Sequence, residues 1–385
     1  MSERTRVDLL LAVGYDPDPR VRRLTQALAT EGYDIRVLAW DRDGSRAAHE
    51  MDGPVQIERV HVKSGWSRGL IQSVFLASVG VRYLRRVRRR RPDVLHAVDL
   101  PMLTIALLIA PLAGRPKIVY EAFEVYGVMV SRRLPGFAVR LIRFLERRLP
   151  RRAVLVLTPG EARQELFASR GIPSVSVPNW IDPPTNPTPR DKGRADFGIP
   201  ADRFTILYTG SLHASRDLDA LLRHAARRPD DLVLVAGQGD DEPRLRREAE
   251  TLDNVRILGW LPNPEPLLAA VDAVYYSLRP EHPYAQLAAP NNLYQSIAHA
   301  VPLVYRPQGE LAVVGGRHLI GVPFEDDASL DAAFDQVRDS ERNAEIRASL
   351  HALQERYRWS VAAERVLRVY PRKGTAASSA SANGP

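Results

Sequence analysis

Short apolar runs alternate with amphipathic stretches from the first residues of the chain onward. Residues 7–13 form a β-branched and leucine-rich run that stops at Gly14, and residues 20–31 place their apolar side chains at helical spacing. Gly32 ends this predicted helix, and residues 35–39 predict the next strand. Strand, turn, helix and strand in this order are typical of the βαβ unit of a parallel sheet.

The same alternation continues through both halves of the chain. In the first half it predicts further strands at residues 94–97, 117–120, 155–158 and 174–177. In the second half it predicts strands at residues 204–208, 232–236, 255–258, 273–276 and 303–305, with helices that begin near Asp217, Arg244 and Asn292. The fold class predicted by this repetition is α/β, with two Rossmann-like, doubly wound domains.

A proline-rich segment separates the two halves. Residues 178–193 contain five prolines in sixteen positions, so the segment can neither continue a helix nor lie inside a sheet. We therefore predict a first domain at residues 1–180, a linker at 181–193 and a second domain at 194–340. Binding proteins, epimerases and dehydrogenases share such a layout, so it does not name a function by itself.

The C-terminal part of the chain is predicted to leave the second domain. One helix is expected over residues 341–369, and the segment 341–371 is expected to cross back onto the first domain. The tail, residues 372–385, lacks large apolar side chains that could pack, so we expect it to be disordered.

The composition excludes several kinds of chemistry. The chain has no cysteine, which excludes disulfides, thiolate metal ligands and a cysteine nucleophile. Its histidines are scattered without the spacing that a metal site requires, so no metal site is predicted. The N-terminus and the apolar stretch 100–114 are too short for a signal peptide or a membrane-spanning helix, and we expect a cytoplasmic protein.

The positive charge is confined to the first half of the chain. Residues 1–180 carry 30 basic and 18 acidic residues, a net charge of +12, whereas the remainder carries 24 and 28, a net charge of −4. Many of the arginines lie in residues 82–91 and 132–152. The second stretch interleaves its arginines with an apolar stripe that comprises Leu134, Phe137, Ala138, Leu141, Ile142, Leu145 and Leu149.

Two interpretations of this basic amphipathic stretch stay open. Either the stretch lies on an anionic membrane, as a peripheral contact at the inner face, or it covers the core and turns its arginines to solvent. We expect most of the stripe to be core, so that salt releases any membrane contact without detergent. No recognition motif accompanies the charge, and nucleic acid is not an expected partner.

Seven segments resemble, in the same order, those of the family 4 retaining glycosyltransferases, which have the GT-B fold. They are DPRVRRLTQALATEGYDIRVLAW (18–40), PDVLHAVD (92–99), SVSVPNWID (174–182), ILYTGSLHASRDLDALL (206–222), LVLVAGQGDDEPRL (232–245), NVRILGWLP (254–262) and APNNLYQSIAHAVPLV (289–304). The resemblance implies two Rossmann-like domains that face a cleft. It also implies an acceptor bound by the first domain and a UDP- or GDP-linked sugar donor bound by the second, with no cofactor or metal ion.

The resemblance implies a donor site that departs from the usual pattern of the family. Arg216 stands at the place of a phosphate-binding lysine, and Ser211 stands where many members carry a second arginine. Asn292 replaces the usual lysine, and Gln295 replaces a glutamate that binds ribose. The implied donor-binding residues are Gly14, Gly210, Ser211, Arg216, Gly237, Glu281, His282, Pro290, Asn291, Asn292, Leu293 and Gln295.

Each of these assignments has a plainer alternative. The glycines around Gly237 are equally consistent with a simple strand-to-helix turn, and Glu281 and His282 with a solvated loop. Asn292 and Gln295 are also consistent with a helix cap and an exposed helix side chain. Restoring the carboxylate by Gln295→Glu is expected to tighten nucleotide binding, unless the pocket has adapted to a neutral side chain.

In the first domain the resemblance points to three candidate catalytic residues. The family often has Tyr-Asp-x-His-Glu after its fourth strand, where this chain reads Tyr-Glu-Ala-Phe-Glu, so Phe123 replaces a histidine and cannot transfer a proton. Glu124 remains. His96 and Asp99 lie at the end of a predicted strand, where sites of α/β proteins concentrate.

Two functions follow from the resemblance. The first is a retaining glycosyltransferase that moves a sugar from a nucleotide-diphospho-sugar to a membrane-associated, lipid-linked or anionic acceptor. The second is a catalytically degenerate homologue that binds sugar nucleotides or acts as a scaffolding subunit. The departures at Phe123, Ser211, Asn292 and Gln295 keep this second interpretation open.

Overall fold

The computed structural model describes residues 4–15, 19–64, 70–131 and 134–374. The chain divides into two compact units. The first comprises the residues up to Pro178 and those from Ala363 onward, and the second comprises residues 179–362. Parts of three predicted features lie outside the described residues: Asp18, the arginines at 132 and 133, and the predicted disordered tail from residue 375 onward.

The first unit is built on one sheet. Its strands are β1 (Arg6–Leu10), β2 (Asp34–Asp41), β3 (His49–Asp52), β4 (Val55–His61), β5 (Val94–Val98), β6 (Lys117–Glu121), β7 (Leu155–Thr158) and β8 (Val175–Ser176). They run in the order β3-β4-β2-β1-β5-β6-β7-β8, and only the edge pair β3–β4 is antiparallel among the described pairs. At the centre, Leu9 of β1 is in register with Val37 of β2 on one side and His96 of β5 on the other.

Helices cover this sheet on both faces. They are α1 (Pro19–Thr30), α2 (Leu70–Arg90), α3 (Asp99–Ile109), α4 (Tyr126–Met129), α5 (Gly136–Arg148) and α6 (Glu161–Ser169). Because crossovers between parallel strands are right-handed, the strand order places α1 on one face and α2, α3, α5 and α6 on the other. The core under this second layer includes Tyr83, Met102, Tyr120 and Phe167, all fully buried.

The second unit is a smaller parallel sheet. Its strands are β9 (Thr205–Thr209), β10 (Leu232–Ala236), β11 (Val255–Gly259), β12 (Ala273–Tyr276), β13 (Leu303–Tyr305) and β14 (Gly321–Pro323), in the order β11-β10-β9-β12-β13-β14. Its helices are α7 (Arg190–Asp196), α8 (Leu218–Arg227), α9 (Glu242–Ala249), α10 (Glu265–Ala270), α11 (Asn291–His299), α12 (Glu310–Gly315), α13 (Asp327–Arg338) and α14 (Ser340–Gln354). The last helix, α15 (Trp359–Val369), begins in the second unit and continues into the first.

The fold class predicted from the sequence is confirmed, and every predicted strand is present, most of them within a residue or so of the predicted bounds; β1 ends at Leu10, three residues before its predicted end at residue 13. The expectation of one helix over residues 341–369 was wrong, because residues 355–358 interrupt it between α14 and α15. The proline-rich segment is not irregular throughout, since its last residues begin α7. Gly193 lies inside that helix, where an added Cβ would stand 2.5 Å from the carbonyl oxygen of Pro266.

Candidate functional site

The loops that follow β9 and β10 pack against each other through their backbones. Gly210 donates its N–H to the carbonyl of Ala236 at 3.0 Å, and Leu212 donates to the carbonyl of Gln238 at 2.9 Å. A Cβ on Gly237 would lie 1.8 Å from the carbonyl oxygen of Gly210, and one on Gly239 would lie 2.1 Å from that of Leu212. These glycines are therefore required for the contact between the loops. Close packing thus explains why glycines occupy positions 237 and 239, which the sequence alone left ambiguous.

Arg216 is held at the start of α8 by side chains of two strand ends. Its Nη1 donates to the hydroxyl of Tyr276 at 2.6 Å, and its Nε and Nη2 donate to Oγ of Ser211 at 3.2 and 3.0 Å. Tyr208 fixes Ser211 in turn, because its hydroxyl donates to the Ser211 carbonyl at 2.8 Å. The serine that stands in the place of a second cation thus orients the arginine that remains.

The sequence missed a buried ion pair beside Arg216. Asp217 adopts a left-handed conformation, with a φ of 46°, where α8 begins. Its Oδ2 accepts a bond of 3.2 Å from Nη2 of Arg306, which follows β13 directly. An arginine just after a predicted strand of a parallel sheet lies at the edge where ligands bind, and that position was the available signal.

The loop after β12 is tied to the turn that carries Arg216. Arg279 donates its backbone N–H to Ser215 at 2.9 Å and its Nε to the carbonyl of Ala214 at 2.6 Å. Within this loop, Nδ1 of His282 accepts from the N–H of Tyr284 at 3.3 Å, and Glu281 is exposed. The structure therefore brings the predicted sugar-binding loop next to the predicted phosphate-binding arginine.

The N-terminus of α11 is joined to the end of β9 by a network of neutral side chains. Nδ2 of Asn292 donates to the backbone carbonyl of Thr209 at 2.9 Å and to its hydroxyl at 3.0 Å. The same hydroxyl donates to Oε1 of Gln295 at 3.1 Å. Asn292 is 5% exposed, so it is part of the packing between α11 and β9 as well as of the predicted donor site.

The other predicted donor residues of α11 differ in accessibility. Pro290 precedes the first turn in an extended conformation, and Asn291 is exposed, with Oδ1 accepting from Nδ2 of Asn179 at 3.1 Å. Leu293 is completely buried in the core, so its side chain cannot contact a donor, and only its backbone in the first turn of α11 is left as a possible contact.

In the first unit, His96 belongs to a buried chain of polar groups. Its Nδ1 lies 2.9 Å from the hydroxyl of Tyr370, and its Nε2 lies 3.1 Å from Oε2 of Glu121. Arg20 donates its Nε to Oε1 of Glu121 at 2.8 Å and its Nη1 to the carbonyl of Val177. Burial raises the pKa of Glu121, but the charge of Arg20 and the bond from His96 outweigh it and hold that pKa below its usual value.

Both ring nitrogens of His96 are engaged and its side chain has no exposed surface. This geometry favours a role in holding Glu121 and Tyr370 over direct proton transfer to a substrate.

Asp99 and Glu124 lie together at the ends of β5 and β6. Oδ1 of Asp99 accepts from the backbone N–H of Glu124 at 2.9 Å. Asp99 is the first residue of α3 and has a φ of 65°, a conformation that few side chains adopt. Burial, together with the charge of Glu124, raises the pKa of Asp99 to about 8, so this carboxyl group carries a proton at neutral pH.

The structure also places Phe123 and Gly14, two further positions that the sequence analysis singled out in the first unit. Phe123 lies under the guanidinium of Arg20, which is 5.1 Å from the centre of its ring. Gly14 follows β1 at the same edge of the sheet as Asp99, just before residues 16–18, which lie outside the described part of the chain.

Family comparisons agree with this arrangement. A model described as a glycosyl transferase 4-like domain matches residues 17–180, and a model of glycosyl transferases group 1 matches residues 203–339. The chain is a GT4-like glycosyltransferase. No significant match was found among curated protein sequences.

Solved structures show that the glycosyltransferase has the GT-B fold. Sucrose-phosphate synthase from Thermosynechococcus elongatus superposes with a TM-score of 0.76 at 15% identity, covering 95% of this chain and 98% of that chain. HepE from Anabaena, in complex with UDP and glucose, superposes with a TM-score of 0.69 at 17% identity, covering 94% and 98%. WaaG, a glycosyltransferase involved in lipopolysaccharide biosynthesis, gives 0.70 at 16% identity, covering 94% and 100%.

The outer face of α5 in the glycosyltransferase corrects the expectation that its apolar stripe is mostly core. Phe137 and Leu141 are 69% and 57% exposed, and Phe144 on the same side of the helix is 55% exposed. Ile142 and Leu149 pack against the core from the opposite side, but only in part. The helix therefore has apolar side chains on two sides, one exposed and one facing the core. The stripe read from the sequence combined residues of both sides.

The arginines around this face have no acidic partners among the residues that the structure describes. Arg140, Arg143, Arg147, Arg148, Arg151 and Arg152 are exposed, and none forms an ion pair with a residue that the structure describes. Surface arginines of the second unit behave differently: Arg223 pairs with Asp327 at 2.6 Å, and Arg228 pairs with Asp335 at 2.7 Å. Within the described part of the chain, no ion pair therefore compensates the charge of the α5 face.

Two negative findings apply to the described residues alone. None of the helices there combines the length and the apolarity needed to cross a membrane. In those same ranges, no group of three or more His, Cys, Asp or Glu side chains is arranged to hold a metal ion.

Proposed function

We propose that this glycosyltransferase transfers a sugar from a UDP- or GDP-linked donor, with retention of anomeric configuration, to a lipid-linked acceptor at an anionic membrane. The part of this proposal that concerns the sugar donor rests on the geometry of Arg216. Ser211 and Tyr276 hold its guanidinium at the edge of the second sheet through hydrogen bonds of 2.6–3.2 Å. A guanidinium fixed in this way suits the diphosphate that leaves during transfer. HepE, a protein of the same fold, binds UDP and UDP-glucose.

Roles for the remaining residues follow from their surroundings. The N-terminus of α11 offers backbone N–H groups and a helix dipole to the phosphates, next to Asn292 and Gln295. Arg216 and these groups supply the stabilisation of negative charge, so we propose a reaction that requires no metal ion or cofactor. In the first unit, Glu124 is proposed to orient the acceptor hydroxyl, with protonated Asp99 fixing the backbone of Glu124.

The acceptor half rests on the surface of the first unit. Three large apolar side chains of α5 stand exposed among arginines that form no ion pair with an acidic side chain of the described residues. Apolar side chains between basic ones are typical of helices that lie in the interface of an anionic membrane. An enzyme that docks in this way meets acceptors that are anchored in the lipid.

The donor proposal is tested by calorimetry with UDP and GDP, followed by a panel of nucleotide sugars with product detection. Binding of neither nucleotide would contradict it. Release of nucleotide with a glycosylated product distinguishes an active transferase from a degenerate homologue that only binds. NMR of the anomeric proton of the product tests retention, and activity that is lost in EDTA and restored by a divalent cation would contradict metal independence.

A further inference from the structure

The side chain of Thr209 determines which end of the Gln295 amide faces away from β9. Nδ2 of Asn292 donates to the Thr209 carbonyl at 2.9 Å, and because a carbonyl only accepts, the Asn292 amide can be oriented in one way only. The same Nδ2 donates its second proton to the Thr209 hydroxyl at 3.0 Å. The hydroxyl has a single proton of its own, which goes to the atom of Gln295 that lies 3.1 Å away.

That atom of Gln295 must therefore be the carbonyl oxygen, Oε1. The amino group, Nε2, is then directed away from Thr209, and it has no hydrogen-bond partner within the described ranges of the chain. Gln295 is partly exposed, so this amino group is accessible to a ligand. The opposite amide orientation would leave the hydroxyl proton of Thr209 without an acceptor.

We infer that Gln295 is a hydrogen-bond donor to the bound nucleotide, where a glutamate would be an acceptor. The inference rests on the proposed function, because it takes a nucleoside diphosphate as the ligand of this edge of the sheet. The group that Gln295 recognises is an oxygen that accepts a hydrogen bond, on the ribose or on the diphosphate.

The charge around the site explains why a neutral side chain stands here. Asn292 and Gln295 are both neutral, so the pair carries no net charge. A lysine and a glutamate at the same two positions would also have no net charge, because their charges cancel. A carboxylate at position 295 alone would place an anion beside the Thr209 network and near the phosphates, with Asn292 unable to balance it. The two neutral residues therefore form one unit, and changing one without the other should disturb binding.

The test is the isosteric variant Gln295→Glu, measured by calorimetry with UDP near pH 7.5. We expect UDP binding to weaken about 10- to 100-fold, because a donor to the ligand is replaced by a charged acceptor. The double variant Asn292→Lys/Gln295→Glu should recover most of the loss, because an ammonium group restores both the donor and the charge balance. Gln336→Glu adds the same charge at an exposed position of α13, outside the predicted donor site, and should leave binding unchanged.

Two further ligands identify the oxygen that is recognised. A loss seen with UDP and not with uridine assigns the contact to the diphosphate, and an equal loss with both assigns it to the ribose. Binding of UDP by Gln295→Glu that is as tight as the wild type, or tighter, would overturn the inference and leave the proposed function intact. Failure of the wild type to bind any nucleoside diphosphate would overturn both.

Discussion

Replacing Phe137, Leu141 and Phe144 together by alanine should release this protein from anionic membranes in high salt. The three side chains are 69%, 57% and 55% exposed. Burying a whole Phe or Leu side chain is worth about 1.5–3 kcal/mol. Scaled by the exposed fractions, each side chain contributes about 1–2 kcal/mol on entering the membrane interface, and the three contribute about 3–5 kcal/mol.

The assay is flotation with liposomes that contain anionic lipid, at low salt and at about 1 M salt. At 1 M the Debye length is about 3 Å, so the arginines contribute little and the apolar contact remains. Partitioning of the wild type should therefore fall with salt without disappearing, and the triple variant should bind on the order of 100- to 1,000-fold more weakly than the wild type at high salt. We expect this partial release in place of the salt release expected from the sequence, because Phe137, Leu141 and Phe144 are exposed.

The controls separate insertion from loss of structure. Alanine is the best helix former and the three side chains are largely exposed, so the thermal unfolding of the variant should match that of the wild type. Trp260→Ala removes an apolar side chain that is 58% exposed in the second unit and should leave flotation unchanged. Equal binding of the wild type and the triple variant at high salt would refute the insertion of α5.

Three further predictions follow from the second unit. Arg216→Ala should weaken binding of UDP by about 10- to 100-fold and binding of uridine far less in calorimetry, since the guanidinium serves the diphosphate; equal losses for both ligands would contradict this. Gly237→Ala should lower the free energy of unfolding by about 2–4 kcal/mol in denaturant titration, because its Cβ would stand 1.8 Å from a carbonyl oxygen, whereas Gly198→Ala, with no backbone close by, should lower it by about 1 kcal/mol. Burial raises the pKa of Asp231, but bonds from His224 and Arg338 lower it below its usual value, so its contribution to stability is present above about pH 5 and is lost as the pH falls. Asp231→Asn should lower stability by about 3 kcal/mol at pH 7 and flatten the loss between about pH 5 and pH 2; an unchanged acid profile would contradict the assignment.

Much of the fold was predictable because its central strands are short, mostly apolar runs. β1, β5, β9 and β10 are almost completely buried, and such runs stand out between helices in the sequence. Strands β3, β4 and β14 were missed. Three of the four residues of β3 are exposed and mostly polar, β4 mixes buried apolar residues with exposed polar ones, and β14 has only three residues. The break between α14 and α15 was missed because helical spacing alone does not show where a helix ends.

The candidate site was predictable as a set of positions and not as a set of roles. The structure places Arg216 and Gln295 at one edge of the second sheet, because the strand ends of a parallel sheet converge there, and their roles as donor-binding residues stay predictions. The partners of His96 were beyond reach, because Tyr370 lies 274 residues further along the chain. The orientation of the Gln295 amide depends on its hydrogen bond with the Thr209 hydroxyl. The spacing of residues along the sequence does not reveal this contact.

The return of the chain to its first unit has a consequence for biosynthesis. Tyr370 supplies the hydroxyl that bonds His96, and its backbone carbonyl accepts from the hydroxyl of Tyr33 at 3.3 Å. These contacts form only when nearly the whole polypeptide has left the ribosome, although the sheet they complete is translated first. Until then Nδ1 of His96 lacks its native partner, although Nε2 can already bond Glu121, and a gene cut at the proline-rich segment would yield an N-terminal fragment that never receives Tyr370.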